Sequence, residues 1–505
     1  MISFLSIIVF LLLGVLIFRL RFFIKTNINR FILLSLFTLK AVAGIGLISY
    51  YNEIPDGKKY NDVFKYFYDG HELSKVVKKK PSVFLKLLVG IQSPEEEATY
   101  LEGLTNWKTH TKEYMKAMNY KESNLLNSQR FMIRINALIS LFSRGEIVVH
   151  SLIFCFLSFI GLISIVNNFP EMGVKAKSIL LIAISCIPSS ILFSSTILKE
   201  SVVFFSLFLS ISFFFSHKKK LLASLPLLVL LFTSVHLFAL LIISFITTEL
   251  FLHRKKWLYF LSFSTLICFL CLYYYKYNPL LEMIVAKQNQ QTRIGEGGHY
   301  FSALNGNQTL YVSEENFDAF PIMEHEDKDN YSGCFKLPKG LLAQTTLQGK
   351  KIDAPFQLVK SNWHYRQLSY SKSASYIPTP ELKPTLLSFM SFFPIAITNC
   401  LTHPRLSFEN WMKNLPFFIE NIILLLSITA ILFLRKEIFI QTVQSQKIII
   451  ALIIFSVTAL FLFAYTNPII GNLVRYKSSC VVGLFIVSFI LVTTKLKNRK
   501  RNNIS

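Results

Sequence analysis

Long apolar runs alternate with polar stretches along the chain, and most runs are close to the ~20 residues needed to cross ~30 Å of hydrocarbon as a helix. They fall at 2–20, 31–51, 147–167, 178–194, 201–216, 257–275, 415–434, 448–466 and 478–494. Residues 221–252 are apolar throughout and flanked by Lys218, Lys219 and Lys220 on one side and Arg254, Lys255 and Lys256 on the other. Basic clusters mark the cytoplasmic side, so both flanks belong there and the stretch is read as two short helices meeting near Ser234, Val235 and His236. Residues 385–402 carry Pro394 and are read as an interfacial or re-entrant helix. The pattern predicts an all-α, polytopic integral membrane protein of about eleven spans. The first run lacks a basic leader and a small-residue cleavage site, so it is expected to stay as a helix.

Arg19, Arg21, Lys25 and Arg30 follow the first run, and the tail KLKNRKRNN is strongly basic. With every such cluster on one side, the N-terminus lies outside and the C-terminus in the cytoplasm. The chain then divides into a first helix pair (1–51), an extracytoplasmic segment with amphipathic interfacial helices at 83–91 and 124–142 (52–146), a central bundle (147–275), a second extracytoplasmic segment (276–414) and closing spans with the basic tail (415–505). Two polar lobes thus face outward, where the chemistry is expected.

Composition sharpens this picture. Apolar residues make up 52% of the chain and charged ones 16%, which excludes an ordinary soluble domain. The net charge of +24 would suggest nucleic acid in a soluble protein, but here it sits at the ends of spans and reports orientation, so no nucleic-acid partner is expected. The seven cysteines lack metal spacing, and no metal or cofactor is implied. No internal repeat supports an inverted-repeat transporter.

Candidate chemistry lies in NEIPDGKKYNDVFKYFYDGHE, from Asn52 to Glu72. Asp56, Asp62 and Asp69 stand among Tyr60, Tyr66, Phe67 and Tyr68 just after a span. Carboxylates beside rings suit a sugar or lipid-linked phosphate, with Asp56 or Asp69 as general base; an interfacial aromatic belt with solvated carboxylates is the alternative. Arginines on the outward side run against the positive-inside trend. Arg130 and Arg134 are four apart on one helix face, Arg475 and Tyr476 lie in the last outward turn, and Arg293 stands in RIGEGGHYFS. A guanidinium matches phosphate oxygens bidentately, although general attraction to anionic lipid would also place arginines there. Lys199 and Glu200, at a hairpin tip, are either a neutralised pair or a phosphate-binding cation with its partner. His236, at the mouth of the short helix pair, either touches substrate or caps a broken helix. Glu420 and Asn421 read as the favoured acidic opening of a span. The cluster Glu324, His325, Glu326, Asp327 and Asp329 reads as a solvated loop tip, and GEGGH is too short for a nucleotide loop.

The segments RFMIRINALISLFSRG, IPSSILFSSTILKES, SVHLFALL and GNLVRYKSSCVVGLFIV, with the outward aspartate stretch, resemble the multi-spanning envelope-polysaccharide enzymes of bacteria: O-antigen or exopolysaccharide polymerases and the GT-C glycosyltransferases similar to them. PIAITNCLTHPRLSFENW and LPFFIENIILLL resemble membrane proteins of the Bacteroidota type. The resemblance implies transfer of a glycan from a polyprenyl-phosphate or pyrophosphate carrier at the outer face of the inner membrane, with other polysaccharide-assembly proteins and membrane lipids as partners. In the GT-C group an outward carboxylate after the first helix is base or metal ligand; the nearest positions here, Asp56, Asp62 and Asp69, follow the second span and include no adjacent acidic pair. The polymerases' reliance on outward arginines maps onto Arg130, Arg134 and Arg475. Rival readings are a transporter or flippase, which requires charges inside the bundle, and a non-catalytic scaffold of an envelope complex.

Overall fold

The computed structural model describes residues 3–54, 61–91, 100–101, 104, 107, 126–216, 220–252, 279–303, 308–312, 322–323, 334–335, 344–347, 350–352, 365–370, 373, 375–380, 382–406 and 411–502. Its body is helical: α1 (Phe4–Arg19), α2 (Arg30–Glu53), α3 (Asp62–Lys79), α4 (Pro81–Val89), α5 (Ser128–Ser143), α6 (Ile147–Val166), α7 (Val174–Cys186), α8 (Pro188–Phe193), α9 (Lys199–Phe214), α10 (Ser224–Thr233), α11 (Val235–Leu252), α12 (Pro279–Glu296), α13 (Leu386–Thr402), α14 (Trp411–Phe433), α15 (Val443–Thr466) and α16 (Ile470–Asn502). Among the described residues six helices, α2, α6, α11, α14, α15 and α16, are long and apolar enough to cross a membrane. The expected span at 257–275 lies outside the described residues.

The amphipathic pieces expected at 83–91 and 124–142 are α4 and α5, and 221–252 is indeed two helices. Ser234, extended at φ −160° and ψ 94°, separates α10 from α11. A difference comes in the second polar lobe. Short runs such as GHYFSA, QTLYV and YRQLSY form an antiparallel sheet in the order β6-β5-β2-β1-β7, from β1 (Gly298–Ala303), β2 (Gln308–Val312), β5 (Gln344–Leu347), β6 (Lys350–Ile352) and β7 (Tyr365–Tyr370). β3 (Ile322–Met323) and β4 (Cys334–Phe335) pair separately. Alternation over a few residues is a weak signal beside long apolar runs, which is why the helical expectation overlooked it.

The expected span 178–194 is broken. Pro188 has no N–H to donate and disfavours helix at the residue before it, so Ile187 turns to ψ 126° and a new short helix begins at Pro188. After α8 the chain runs unwound through Ser194, Ser195 and Thr196, all fully buried. Neighbouring side chains satisfy its carbonyls: Ser158 donates to Ser194 O (2.5 Å), Ser151 to Ser195 O (3.2 Å) and Ser201 to Thr196 O (2.6 Å). Irregular backbone within a membrane protein survives only under such cover. Gly44 permits it, since a Cβ there would stand 2.1 Å from Ser195 O. At Gly161 a Cβ would lie 2.3 Å from Phe204 O, so α6 and α9 pack backbone to backbone.

Polar contacts between helix ends sort the bundle into two ends. At one, the hydroxyls of Ser3, which caps α1, and of Ser6 within it donate to Glu146, which caps α6. At the other, Lys447 of α15 meets Glu249 of α11 at 2.7 Å, Gln444 donates to Asn168 beyond α6, and Gln441 donates to Thr494 of α16. These contacts agree with the alternation read from the basic clusters.

Candidate functional site

Arg475, five residues into α16, is the hub of the strongest polar cluster. Its Nη1 donates to Asp62 Oδ2 at 2.9 Å, and its Nε lies 2.7 Å from Glu200 Oε1. The guanidinium carbon stands 5.8 Å from the centre of the Tyr476 ring. Lys199 Nζ donates to Ser128 Oγ at 2.8 Å and lies 5.9 Å from the Tyr66 ring centre.

The positions of these groups follow from helix starts. The Asn61 side chain accepts from Val63 N and opens α3, making Asp62 its first residue. The Asn127 side chain accepts from Gln129 N and Arg130 N, making Ser128 the first residue of α5. Lys199 and Glu200 open α9. Three helix amino ends, each carrying partial positive charge, therefore meet around one guanidinium and one ammonium. Such a meeting favours an anion, and the two carboxylates moderate it.

Exposure separates the roles within the cluster. The Glu200 side chain is 6% exposed and Arg475 14%, whereas Asp62 is 30% exposed and reachable. Burial pushes the Asp62 carboxyl up, but Arg475 first and then Lys199 outweigh it and hold Asp62 below the usual aspartate value. Burial pushes Lys199 down to about 8, with Asp62 pulling against it. Burial, reinforced by Asp62, raises the Tyr66 phenol well above its ordinary value, so it keeps its proton. Tyr66 Oη and Glu200 Oε2 are buried without a hydrogen-bond partner among the described residues. The cluster thus offers two fixed cations, a phenol able to donate and an ionised carboxylate at its open edge.

The other expected residues divide. Arg130 and Arg134 do share a helix face, as their spacing requires, but they grip Trp107 and not Arg475: their guanidinium carbons lie 5.0 and 5.2 Å from its ring centre. Arg130 also donates to Trp107 O and Arg134 to Leu87 O. Burial and then Arg130 push Arg134 down to about 10. Asp69 accepts from Trp107 N at 2.9 Å and is 2% exposed. These three side chains, expected as base and phosphate grip, are built into the packing around Trp107. The reason is geometric, since Asp69 lies two helical turns, about 10 Å, beyond Asp62. Lys199 and Glu200 are not paired with each other: each has its own partner in the cluster. His236 sits against Ser234 Oγ and meets Phe463 edge-on at 6.2 Å; Phe463 in turn lies against Tyr476. His236 is therefore beside the cluster, screened from Arg475 by rings. Arg293 belongs to α12, and its side chain lies outside the described residues, as do Asp56 and the acidic run 324–329. Sequence reading placed Asp62 and Tyr66 in the candidate stretch but favoured Asp56 or Asp69 as base, and missed Ser128; the cap Asn61 before Asp62 was the available signal.

A second polar group lies inside the bundle. Glu420 does not open its helix: α14 begins at Trp411, which puts Glu420 about 13 Å further in. It is fully buried and accepts from Ser189 N and Ser189 Oγ, both at 2.8 Å. Lys40 of α2, also fully buried, donates to Ser194 Oγ (2.6 Å) and Ser190 O (3.3 Å). Lys477 donates to Asn421 Oδ1, Cys400 O and His403 O. Charges within the bundle, expected to be nearly absent, are present on three helices and meet the broken α7–α8 segment and its surroundings. Among the described residues no cluster of His, Cys, Asp and Glu is suited to a metal ion.

Comparison with protein-family models, with curated proteins and with solved structures gives no match. The site's own chemistry therefore carries the functional reading.

Proposed function

We propose that the protein transfers a glycan unit from a polyprenyl-phosphate or pyrophosphate carrier to a growing envelope polysaccharide, at the outer face of the bacterial inner membrane. One observation carries this reading: Arg475 and Lys199, held where three helix amino ends meet, with the ionised Asp62 at the open edge. In this reading the chain crosses about eleven times, with its N-terminus outside and its C-terminus in the cytoplasm. The acceptor hydroxyl attacks the anomeric carbon as the bond to the carrier's phosphate oxygen breaks. The departing phosphate takes the electron pair and is stabilised by Arg475 and Lys199. Asp62 takes the hydroxyl's proton, and Glu200 orients the guanidinium. The scheme calls for no metal or cofactor.

The test replaces the chromosomal copy with Asp62→Asn or Arg475→Lys, the latter keeping charge but losing the planar fork. Each is expected to lower glycan assembly by about 10²-fold, with lipid-linked units accumulating at normal protein levels. Surface glycan of unchanged length and amount in both variants would defeat the proposal.

A second reading, movement of a lipid-linked glycan across the membrane, is favoured by Lys40, Glu420 and Lys477 within the bundle beside a discontinuous helix. Ionisable groups at such depth commonly mark a transport path.

A further inference from the structure

The Arg475 cluster has a support that reaches deep into the bundle. Lys199 and Glu200 are the first two residues of α9, and the unwound strap 194–198 leads directly into them. Their placement against Ser128 and Arg475 therefore depends on how that strap is held. A stretch without the repeating bonds of a helix takes its course from whatever meets its backbone groups.

One face of α2 runs along the strap. Lys40, Gly44 and Ile48 are spaced four apart, which puts them in one row. At the start of the row the fully buried Lys40 ammonium donates to Ser194 Oγ (2.6 Å) and Ser190 O (3.3 Å). The Ser194 hydroxyl donates in turn to Ser190 O at 2.5 Å, so the ammonium locks the point where α8 ends and the strap begins. One turn on, Gly44 admits the Ser195 carbonyl, to which a Cβ would stand at 2.1 Å. Another turn on, Ile48 packs in one buried cluster with Ile197, Leu198, Val63 and Tyr66. Val63 follows Asp62 on α3, and the Tyr66 ring lies beside the Lys199 ammonium. From α6, Ser158 donates to Ser194 O and Ser151 to Ser195 O. The row thus leads the strap from the bundle interior to the cluster.

Taking an ammonium out of water is costly even with hydrogen-bond partners, and an apolar side chain would pack at that depth without the cost. What the ammonium supplies instead is a directional hold on oxygen atoms. We propose that Lys40 is a positioning residue for the anion grip: acting through strap 194–198, it sets where Lys199 and Glu200 stand relative to Arg475 and Asp62. The role of Lys40, though not its contacts, rests on the reading of Arg475 and Lys199 as a phosphate grip.

Lys199 reports on the strap. Burial lowers its pKa to about 8; Asp62 opposes that, Arg475 adds to it, Glu200 opposes it and Lys287 of α12 adds to it. Its charge is therefore present below pH about 8 and lost as pH rises through that value. Without the Lys40 ammonium the junction at Ser194 loosens and Lys199 turns toward water, where its pKa moves back toward the ordinary 10.5.

The experiment titrates the full chain in nanodiscs with inorganic pyrophosphate between pH 7 and 9. The native chain is expected to lose affinity across that range. In Lys40→Met, affinity at pH 7 is expected to fall about tenfold, the worth of one charge-assisted contact, and the slope with pH to flatten. Ser194→Ala, which removes one hydroxyl and little volume, is expected to move both readouts the same way, affinity by about threefold. It decides the question where Lys40→Met fails to fold. Glu420→Gln, which discharges the other end of α8, is expected to keep the native affinity and slope. Native affinity and slope in both Lys40→Met and Ser194→Ala overturn the proposal and leave the grip standing. So does a loss of affinity that keeps the native slope, or one matched by Glu420→Gln, since either makes Lys40 a charge that only holds the bundle. A native chain that binds no pyrophosphate removes the grip itself, and the role of Lys40 with it.

Discussion

Asp62 and Asp69 stand on one helix with opposite surroundings. Asp69 is enclosed with Trp107, whereas Asp62 ends on an exposed edge beside Arg475. Lys199 shows the same dependence on surroundings. Its charge is held below pH about 8 and lost as pH rises through that value, against the ordinary 10.5. Affinity of the purified protein for inorganic pyrophosphate is therefore expected to fall roughly five- to tenfold between pH 7 and 9. In Lys199→Arg, which stays charged throughout that range, the profile should be flat; a native profile equally flat would remove Lys199 from the anion site. The sequence singled out arginines and aspartates expected to face outward. It could not pair them, because the spacing that puts Arg130 and Arg134 on one face says nothing about which ring that face meets. Arg475 lies more than four hundred positions from Asp62, and only the fold brings them together.

Among the elements, the interrupted segment α7–α8 was the least legible. Its apolar run reads as one span, and Pro188 inside it was a visible warning. The unwound serines that follow look like ordinary small residues in a membrane sequence. Their role depends on Gly44, Ser151 and Ser158, which lie far away in the chain, and on Glu420 and Lys40. Glu420→Gln keeps an acceptor for Ser189 and removes the charge. Under glycan transfer this variant is expected to assemble polysaccharide within about twofold of the native chain, with a destabilisation of about 1–2 kcal/mol in the melting transition. Loss of polysaccharide, with lipid-linked units trapped on the cytoplasmic leaflet at normal protein levels, would move the weight to transport. The sheet at 298–370 was missed for a different reason: its strands are short, and their alternation is hidden within a long polar stretch.

For the whole molecule, the apolar runs and basic clusters predicted a multi-pass helical protein, and the six long apolar helices agree with that. The contacts between helix ends, the Lys447–Glu249 ion pair among them, join ends that the sequence reading expects on one side. If the predicted orientation is right, Lys79→Cys at the end of α3 should react with a membrane-impermeant maleimide in intact cells whose outer membrane has been opened. Lys497→Cys, near the end of α16, should react only after the inner membrane is permeabilised. The opposite pattern would invert the topology and move the Arg475 cluster into the cytoplasm.

Gly161 has a consequence for how the helices are held. With α6 pressed directly on the Phe204 backbone of α9, any side chain larger than hydrogen at position 161 is expected to force those two helices apart. Helix α6 is 78% enclosed over its most apolar window, while α11 and α14 are enclosed over only 28% and 22% of theirs. If the protein admits a carrier lipid as proposed, α11 and α14 are the helices with the least packing to lose by moving aside. Arg475 lies on α16, which is 61% enclosed, so the proposed grip belongs to the more tightly packed part of the bundle.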